Sequence, residues 1–140
     1  MTRFSREQVA GTAVTVAVTA AVIAGIYLLG SPSAERARRL DERRVQDLSG
    51  ISQAMDLYWT RQSSLPASLE QLRSETGANV TVSDPLTNAP YEFRLLEDGK
   101  YELCASFEGD SRESEDRFGA GFWTHRAGRQ CFQRAASSVR

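Results

Sequence analysis

Between Gln8 and Ala34 no side chain carries a charge, and inside that run Val9 to Leu29 reads Val-Ala-Gly-Thr-Ala-Val-Thr-Val-Ala-Val-Thr-Ala-Ala-Val-Ile-Ala-Gly-Ile-Tyr-Leu-Leu. About 20 helical residues, each rising about 1.5 Å, cross a hydrocarbon core of about 30 Å. Thr12, Thr15 and Thr19 are compatible with such a span, because a threonine hydroxyl can bond back to a carbonyl one turn earlier. Tyr27 stands near one end, where an amphipathic ring suits the headgroup region. The run predicts a transmembrane helix over 9–29.

Two other readings explain less. A buried core helix needs a domain large enough to surround it, and 140 residues leave room for one domain plus an anchor. A cleaved signal peptide would have an overlong apolar region, and Ser31-Pro32-Ser33-Ala34 is a poor small-x-small cleavage site. A retained anchor is the expectation. Gly11, Thr15, Ala21 and Gly25, with Ala13, Ala17, Ala20 and Ala24, keep this helix slim. Small residues let a second membrane helix approach closely, so these four positions are candidates for helix packing. The competing reading is that alanine and valine simply face lipid.

Charge and cysteine usage point to opposite sides of the bilayer. Arg3 and Arg6 precede the span, while Arg36, Arg38, Arg39, Arg43 and Arg44 follow it. Counted alone, these place the C-terminal side in the cytoplasm. Cys104 and Cys131 are the only cysteines, and an isolated pair in a small domain points to a disulfide and an oxidising compartment, two buried thiols being the alternative. The formal net charge of −1 provides no field for nucleic acid, and the basic residues do not interleave with aromatics, so no nucleic-acid partner is expected.

Beyond the span, Ser31 and Pro32 suit the N-cap and first position of a new helix, with Glu35 in its first turn. From Ala34 to Arg44 the pattern is charged nearly all round, which predicts a helical stalk over 30–44 with a solvated or headgroup-facing surface. From Val45 the pattern changes. Leu48, Ile51, Met55 and Tyr58, with Ala54 beside them, form one apolar stripe of an amphipathic helix that frays near Arg61 to Ser64. A short second helix is expected over 65–72, where Ser68 and Gln71 have capping-box spacing, with Gly77 ending it. Val80 to Val82 could form a brief strand. Tyr91, Phe93 and Leu95 alternate with Glu92 and Arg94, Asp98-Gly99 is a hairpin turn, and Tyr101, Leu103, Ala105 and Phe107 alternate with Glu102, Cys104 and Ser106. Phe122 to His125 and Arg129 to Phe132 could supply one or two more strands, the last bringing Cys131 to the Cys104 strand. The fold expected is α+β: a transmembrane helix, then a long amphipathic helix packed on a three- to four-stranded antiparallel sheet. A tail over 1–8 precedes the span, the domain covers 45–133, and 134–140 is expected to be disordered.

Taken in order, the hydrophobic helix, the amphipathic helix, Tyr58, Leu65-Pro66, Leu69, Leu72, Asp84-Pro85-Leu86-Thr87 and Pro90-Tyr91-Glu92-Phe93-Arg94 resemble type IV pilins, and more closely the pseudopilins of type II secretion systems. Tyr101-Glu102-Leu103-Cys104-Ala105 and Gly128-Arg129-Gln130-Cys131-Phe132 are similar to segments of small bacterial membrane proteins bearing such a domain. The resemblance covers roughly Asp47 to Phe132. It implies a pilin-like fold and a domain on the periplasmic face of the cytoplasmic membrane. Prepilins carry a glycine just before Phe or Met and a glutamate shortly after it; here Gly11 is followed by Thr12, and the glutamate's position holds Val16. The resemblance therefore implies a pilin-type domain on a plain anchor.

Reactive groups are sparse. His125 is the only histidine, so a metal site built from several imidazoles is excluded, and a Cys131–His125 nucleophile pair is lost if Cys131 is oxidised. Glu108, Asp110, Glu113 and Asp116 offer hard oxygen ligands for calcium, but Arg112 and Arg117 compete for them and the spacing is not that of an EF-hand, so a solvated loop is expected. Phe118, Phe122 and Trp123 read as core before partner-binding loop. No cofactor and no catalysis are expected. The sequence predicts a structural or accessory subunit of a respiratory, photosynthetic or transport assembly, contacted through lipid-embedded helix and domain. The alternatives are a pseudopilin-like component of a secretion or pilus system and a small Cys/His enzyme.

Overall fold

The computed structural model describes residues 6–29, 31–77, 79–111 and 121–138, and the chain divides into two compact units, Met1–Arg36 and Ala37–Arg140. In the first unit, α1 (Arg6–Leu29) is long and apolar enough to cross a membrane. Val9, Val14, Val16, Val18, Val22, Ile23 and Ile26 are all exposed on this helix. Thr12, Thr15 and Thr19 donate to the carbonyls of Gln8, Gly11 and Thr15 at 2.8, 3.0 and 2.8 Å, which keeps each hydroxyl satisfied without water.

α2 (Pro32–Gln62) begins where Glu35 N–H donates to the Ser31 carbonyl at 3.2 Å. Its C-terminal half buries Leu48, Ile51, Ala54, Met55 and Tyr58. Each such side chain contributes about 1.5–3 kcal/mol on leaving water, so the stripe does more than helix propensity to hold this segment. The helix stops at Ser63, which takes the left-handed conformation at φ 52°. α3 (Leu69–Thr76) is capped as its spacing predicts, with Gln71 N–H donating to Ser68 Oγ at 3.2 Å. The return bond is displaced by one residue: Gln71 Oε1 accepts from Ala67 N–H at 2.8 Å. Gly77, at φ 63°, ends the helix.

The sheet is an antiparallel meander, β1 (Glu92–Leu95), β2 (Lys100–Phe107) and β3 (Gly128–Ala135), in the order β1-β2-β3. Asp98 and Gly99 both have positive φ, 57° and 67°, and Lys100 N–H donates to the Glu97 carbonyl at 3.2 Å, the backbone of a type I′ hairpin turn. Register sets the faces. Leu103 lies opposite Phe93 on one side and Phe132 on the other, so these three share a face with Tyr101, Ala105 and Phe107. That face joins the α2 stripe, Leu69, Leu72, Val82 and Tyr91 in one core. Inside it Ser52 and Tyr101 share a hydrogen bond of 2.9 Å between hydroxyls.

The α+β class and the helix–sheet order agree with the sequence, but four local expectations do not hold. Val80 to Val82 form no strand: the pairing there is one isolated bridge, Ser83 to Pro90, plus a 2.9 Å bond from Tyr91 N–H to the Val82 carbonyl. Phe122 to His125 form a turn, because Ser111 occupies both backbone groups of His125, accepting from its N–H at 2.9 Å and donating its own N–H to its carbonyl at 3.0 Å. The sheet accordingly has three strands among the described residues. The expected disordered tail is partly tied down: β3 runs through Arg134 and Ala135, then Ala136 N–H donates to the Gly99 carbonyl and Ser137 N–H to Asp56 Oδ1. Finally, Asp41 and Arg44, placed in the solvated stalk by their charge, are buried at 5% and 2% exposure.

Candidate functional site

Asp41 and Arg44 continue the apolar stripe of α2 backward, since 41, 44, 48, 51, 55 and 58 step by three and four. Their side chains consequently point at the same neighbours. Arg44 donates through Nε to Asp84 Oδ2, through Nη1 to Asp41 Oδ1 at 2.8 Å, and through Nη2 to Asp84 Oδ1 at 3.4 Å. Each aspartate in turn organises a loop. Asp84 Oδ1 accepts from the N–H groups of Leu86 and Thr87, both at 2.9 Å, closing the Asp84-Pro85-Leu86-Thr87 turn. Asp41 Oδ2 accepts from Glu108 N–H at 3.1 Å and Gly109 N–H at 2.8 Å, fixing the chain as it leaves β2. One guanidinium thus holds two loops against α2. Burial pushes the Asp84 carboxyl upward, but the bonds from Arg44, Thr87 and Leu86 outweigh it and hold it down at about 2.

Beside this cluster, Tyr91 donates to Asp47 Oδ2 at 2.9 Å. Burial raises both groups, and for the phenol the neighbouring Asp47 carboxylate adds to that rise. With both aspartates of the Arg44 cluster committed to Arg44 and to backbone N–H groups, the arrangement organises the fold and presents no activated base.

The opposite face of the sheet carries the cysteines. Cys104 and Cys131 are directly paired across β2 and β3, with Cα atoms 4.0 Å apart, and are joined as a disulfide. Arg129 reaches across β2 to Glu92 on β1, with Nε and Nη2 at 2.9 and 2.7 Å from the two carboxylate oxygens, and the same Nη2 lies 3.5 Å from Cys104 Sγ. The ion pair covers the sulfur, which explains how Cys104 is 4% exposed on an otherwise polar, solvent-facing surface. The bonds from Arg129 hold the Glu92 carboxyl below its ordinary range. A Glu102 carboxylate oxygen lies within 4.8 Å of both sulfurs, but sulfurs bonded to each other offer no thiolates to a metal.

The remaining candidates are dispersed. His125 is buried, its ring stacked on Phe107 with centroids 3.7 Å apart and its Nδ1 3.1 Å from the Trp123 carbonyl. A histidine packed in this way, with Cys131 oxidised, does not form the nucleophile pair. Trp123 packs edge-on against Phe132, at 5.0 Å between centroids, whereas Phe122 is half exposed with the Arg134 guanidinium 5.1 Å from its ring centre. Of the calcium candidates, Glu108 stands 3.9 Å from Arg44 Nη2 and Asp110 follows it in the loop, while Glu113 and Asp116, like Phe118, lie outside the described residues.

The four small positions of α1 fall within an arc of roughly 120° at about 100° per residue. A side chain added at Gly11 or Gly25 would meet nothing within 4 Å, so this face is open to an approaching helix. The Arg44 cluster was the part that sequence reasoning missed, and the stripe running back through Asp41 and Arg44 was the available signal. Comparison of the chain with protein-family models, with curated proteins and with solved structures finds no match.

Proposed function

We propose that this chain is a non-enzymatic, single-pass membrane protein that serves as a structural or accessory subunit of a larger membrane assembly, presenting a pilin-like domain on the periplasmic side. The observation that carries this reading is α1, a 24-residue helix that is uncharged from Gln8 onward and is long and apolar enough to cross a bilayer. Water would not tolerate so long an apolar helix, whereas a bilayer and neighbouring helices would, and the slim Gly11, Thr15, Ala21 and Gly25 face suits helix contact. The disulfide supports the oxidising side against the arginine count. The domain supports a scaffold, because its polar groups are spent on holding loops and strands in place. A long helix stripe on an antiparallel meander is also the layout that the pilin resemblance implies.

The test is removal of the subunit. Deleting the chain from its native membrane should loosen one complex, measured as subunits lost on mild-detergent extraction, and restoring the full chain should reverse this. If His125→Ala instead abolishes an enzymatic activity while leaving every complex intact, the small-enzyme alternative replaces this reading.

A further inference from the structure

Among the described residues β3 is an outer strand of the sheet, with β2 on one side of it and no strand on the other. The two sulfurs of the disulfide are therefore unequal. Cys131, on β3, is half-buried, whereas Cys104, on the central strand, is 4% exposed. Because the cysteines face each other across β2 and β3, the S–S bond runs across the strands. A thiolate attacks a disulfide sulfur in line with the bond that breaks, from the side opposite the leaving sulfur. Attack on Cys131 comes over the outer edge of β3. Attack on Cys104 has to come over β1, where Glu92 stands opposite Cys104 and holds the Arg129 guanidinium at 2.7 Å.

Charge selects the same sulfur. Arg129 Nη2 lies 3.5 Å from Cys104 Sγ, and a guanidinium beside a sulfur stabilises its thiolate and makes it the better leaving group. The neighbouring acids do not reverse this preference. Both oxygens of Glu92 are bound by Arg129. A Glu102 oxygen lies within 4.8 Å of both sulfurs and so disfavours a thiolate on either, and Glu102 itself accepts from Gln133 at 3.1 Å with Arg94 at 3.9 Å.

From this placement we infer that Cys131 Sγ is a thiol-exchange site, open to an external thiolate at the outer edge of β3, with Cys104 as the leaving sulfur. The co-reactant is a small thiol or a cysteine of a partner protein, the two sharing one chemistry. Its sulfur bonds to Cys131 Sγ as the Cys104–Cys131 bond breaks, and the bonding pair departs on Cys104 Sγ as a thiolate beside Arg129. The incoming sulfur is oxidised to the mixed disulfide and Cys104 is reduced, so electrons and charge balance without a further reagent. Return attack by Cys104 on Cys131 expels the incoming thiolate and restores the original bond. The eight-residue pairing of β2 with β3 keeps the two sulfurs together for that step. None of this depends on the membrane-anchored reading, since every residue involved lies in the unit Ala37–Arg140.

The experiment gives the full, oxidised chain in detergent micelles a short pulse of mercaptoethanol, an uncharged thiol. Acid then stops the exchange, N-ethylmaleimide caps free thiols, and peptide mass spectrometry locates the adduct. The wild type should carry mercaptoethanol on Cys131 at least about tenfold more than on Cys104. In Arg129→Ala the β1 side is opened and the thiolate loses its cation, so adducts should appear on both cysteines. The wild-type ratio needs no variant, so misfolding of Arg129→Ala would leave the test intact. A thioredoxin-class protein keeping only its attacking cysteine repeats the pulse with a protein thiol. Capture of both probes at Cys131 assigns the site to partner proteins as well, and capture of mercaptoethanol alone assigns it to small thiols. Equal labelling of the two cysteines in the wild type, or a majority on Cys104, would overturn the assignment. So would a folded chain that takes no adduct while the urea-unfolded chain reacts.

Discussion

Arg44 and Asp84 lie forty residues apart in the chain and meet in a buried pair in which the guanidinium Nε and Nη2 face the two carboxylate oxygens. Because Asp84 also closes its own turn and Asp41 holds the start of the loop after β2, this contact unites α2 with two loops. Removing one partner should cost far more than a surface ion pair. Arg44→Ala leaves two aspartates without their cation in a buried site and should destabilise the domain by about 3–5 kcal/mol. Urea unfolding followed by tryptophan fluorescence measures this; a loss below about 1 kcal/mol would class the pair with exposed bridges.

The same pair predicts an acid limb. Asp84 has a folded pKa of about 2, below its ordinary value of 3.8. The folded state therefore binds this proton less readily than the unfolded state, and the stabilisation is complete above about pH 4 and disappears as pH falls toward about 2. Its size is about 2 kcal/mol. Asp47, raised by burial, has the opposite sign, its contribution growing as pH falls. In stability measured from pH 7 to pH 2, Asp84→Asn should start lower than the wild type, and the gap should close below pH 4. A constant gap across that range would show that ionisation of Asp84 is not the source.

These residues also show what the sequence makes legible. The hairpin was readable because alternation and an Asp-Gly turn are local signals, and the Ser68 cap and Gly77 stop were readable for the same reason. The burial of Arg44 was not, since its partner is remote and charge alone reads as solvent exposure. Val80 to Val82 and Phe122 to His125 have strand-like composition, but their backbone groups are claimed by Tyr91 and Ser111, which periodicity does not register.

Gly99 should tolerate no side chain. Its φ of 67° disfavours any L-residue, and a Cβ would lie 2.9 Å from Trp59 Cη2 on α2. Gly99→Ala should cost about 1–3 kcal/mol in thermal unfolding. In a Trp59→Leu background the same substitution should cost less, because the steric part is relieved while the backbone part remains. Equal costs in the two backgrounds would mean that Trp59 does not constrain the turn.

The disulfide closes a loop with a sequence separation of 27. Cys104→Ala/Cys131→Ala should lower stability by about 3–4 kcal/mol on the chain-entropy estimate. Arg129→Ala uncovers the Cys104 sulfur without breaking the bond, so reduction by dithiothreitol, timed by thiol alkylation, should be faster in that variant. An unchanged rate would show that the Arg129–Glu92 pair does not shield the disulfide.

The central claim is that the chain works as an anchored subunit within a larger assembly. The most direct measurement is the mass of the particle carrying it after mild-detergent extraction from its own membrane. The account predicts a discrete particle in which the 15.5 kDa chain is accompanied by other membrane polypeptides in fixed ratio. A particle containing this chain alone, at 15.5 kDa plus detergent, would contradict it.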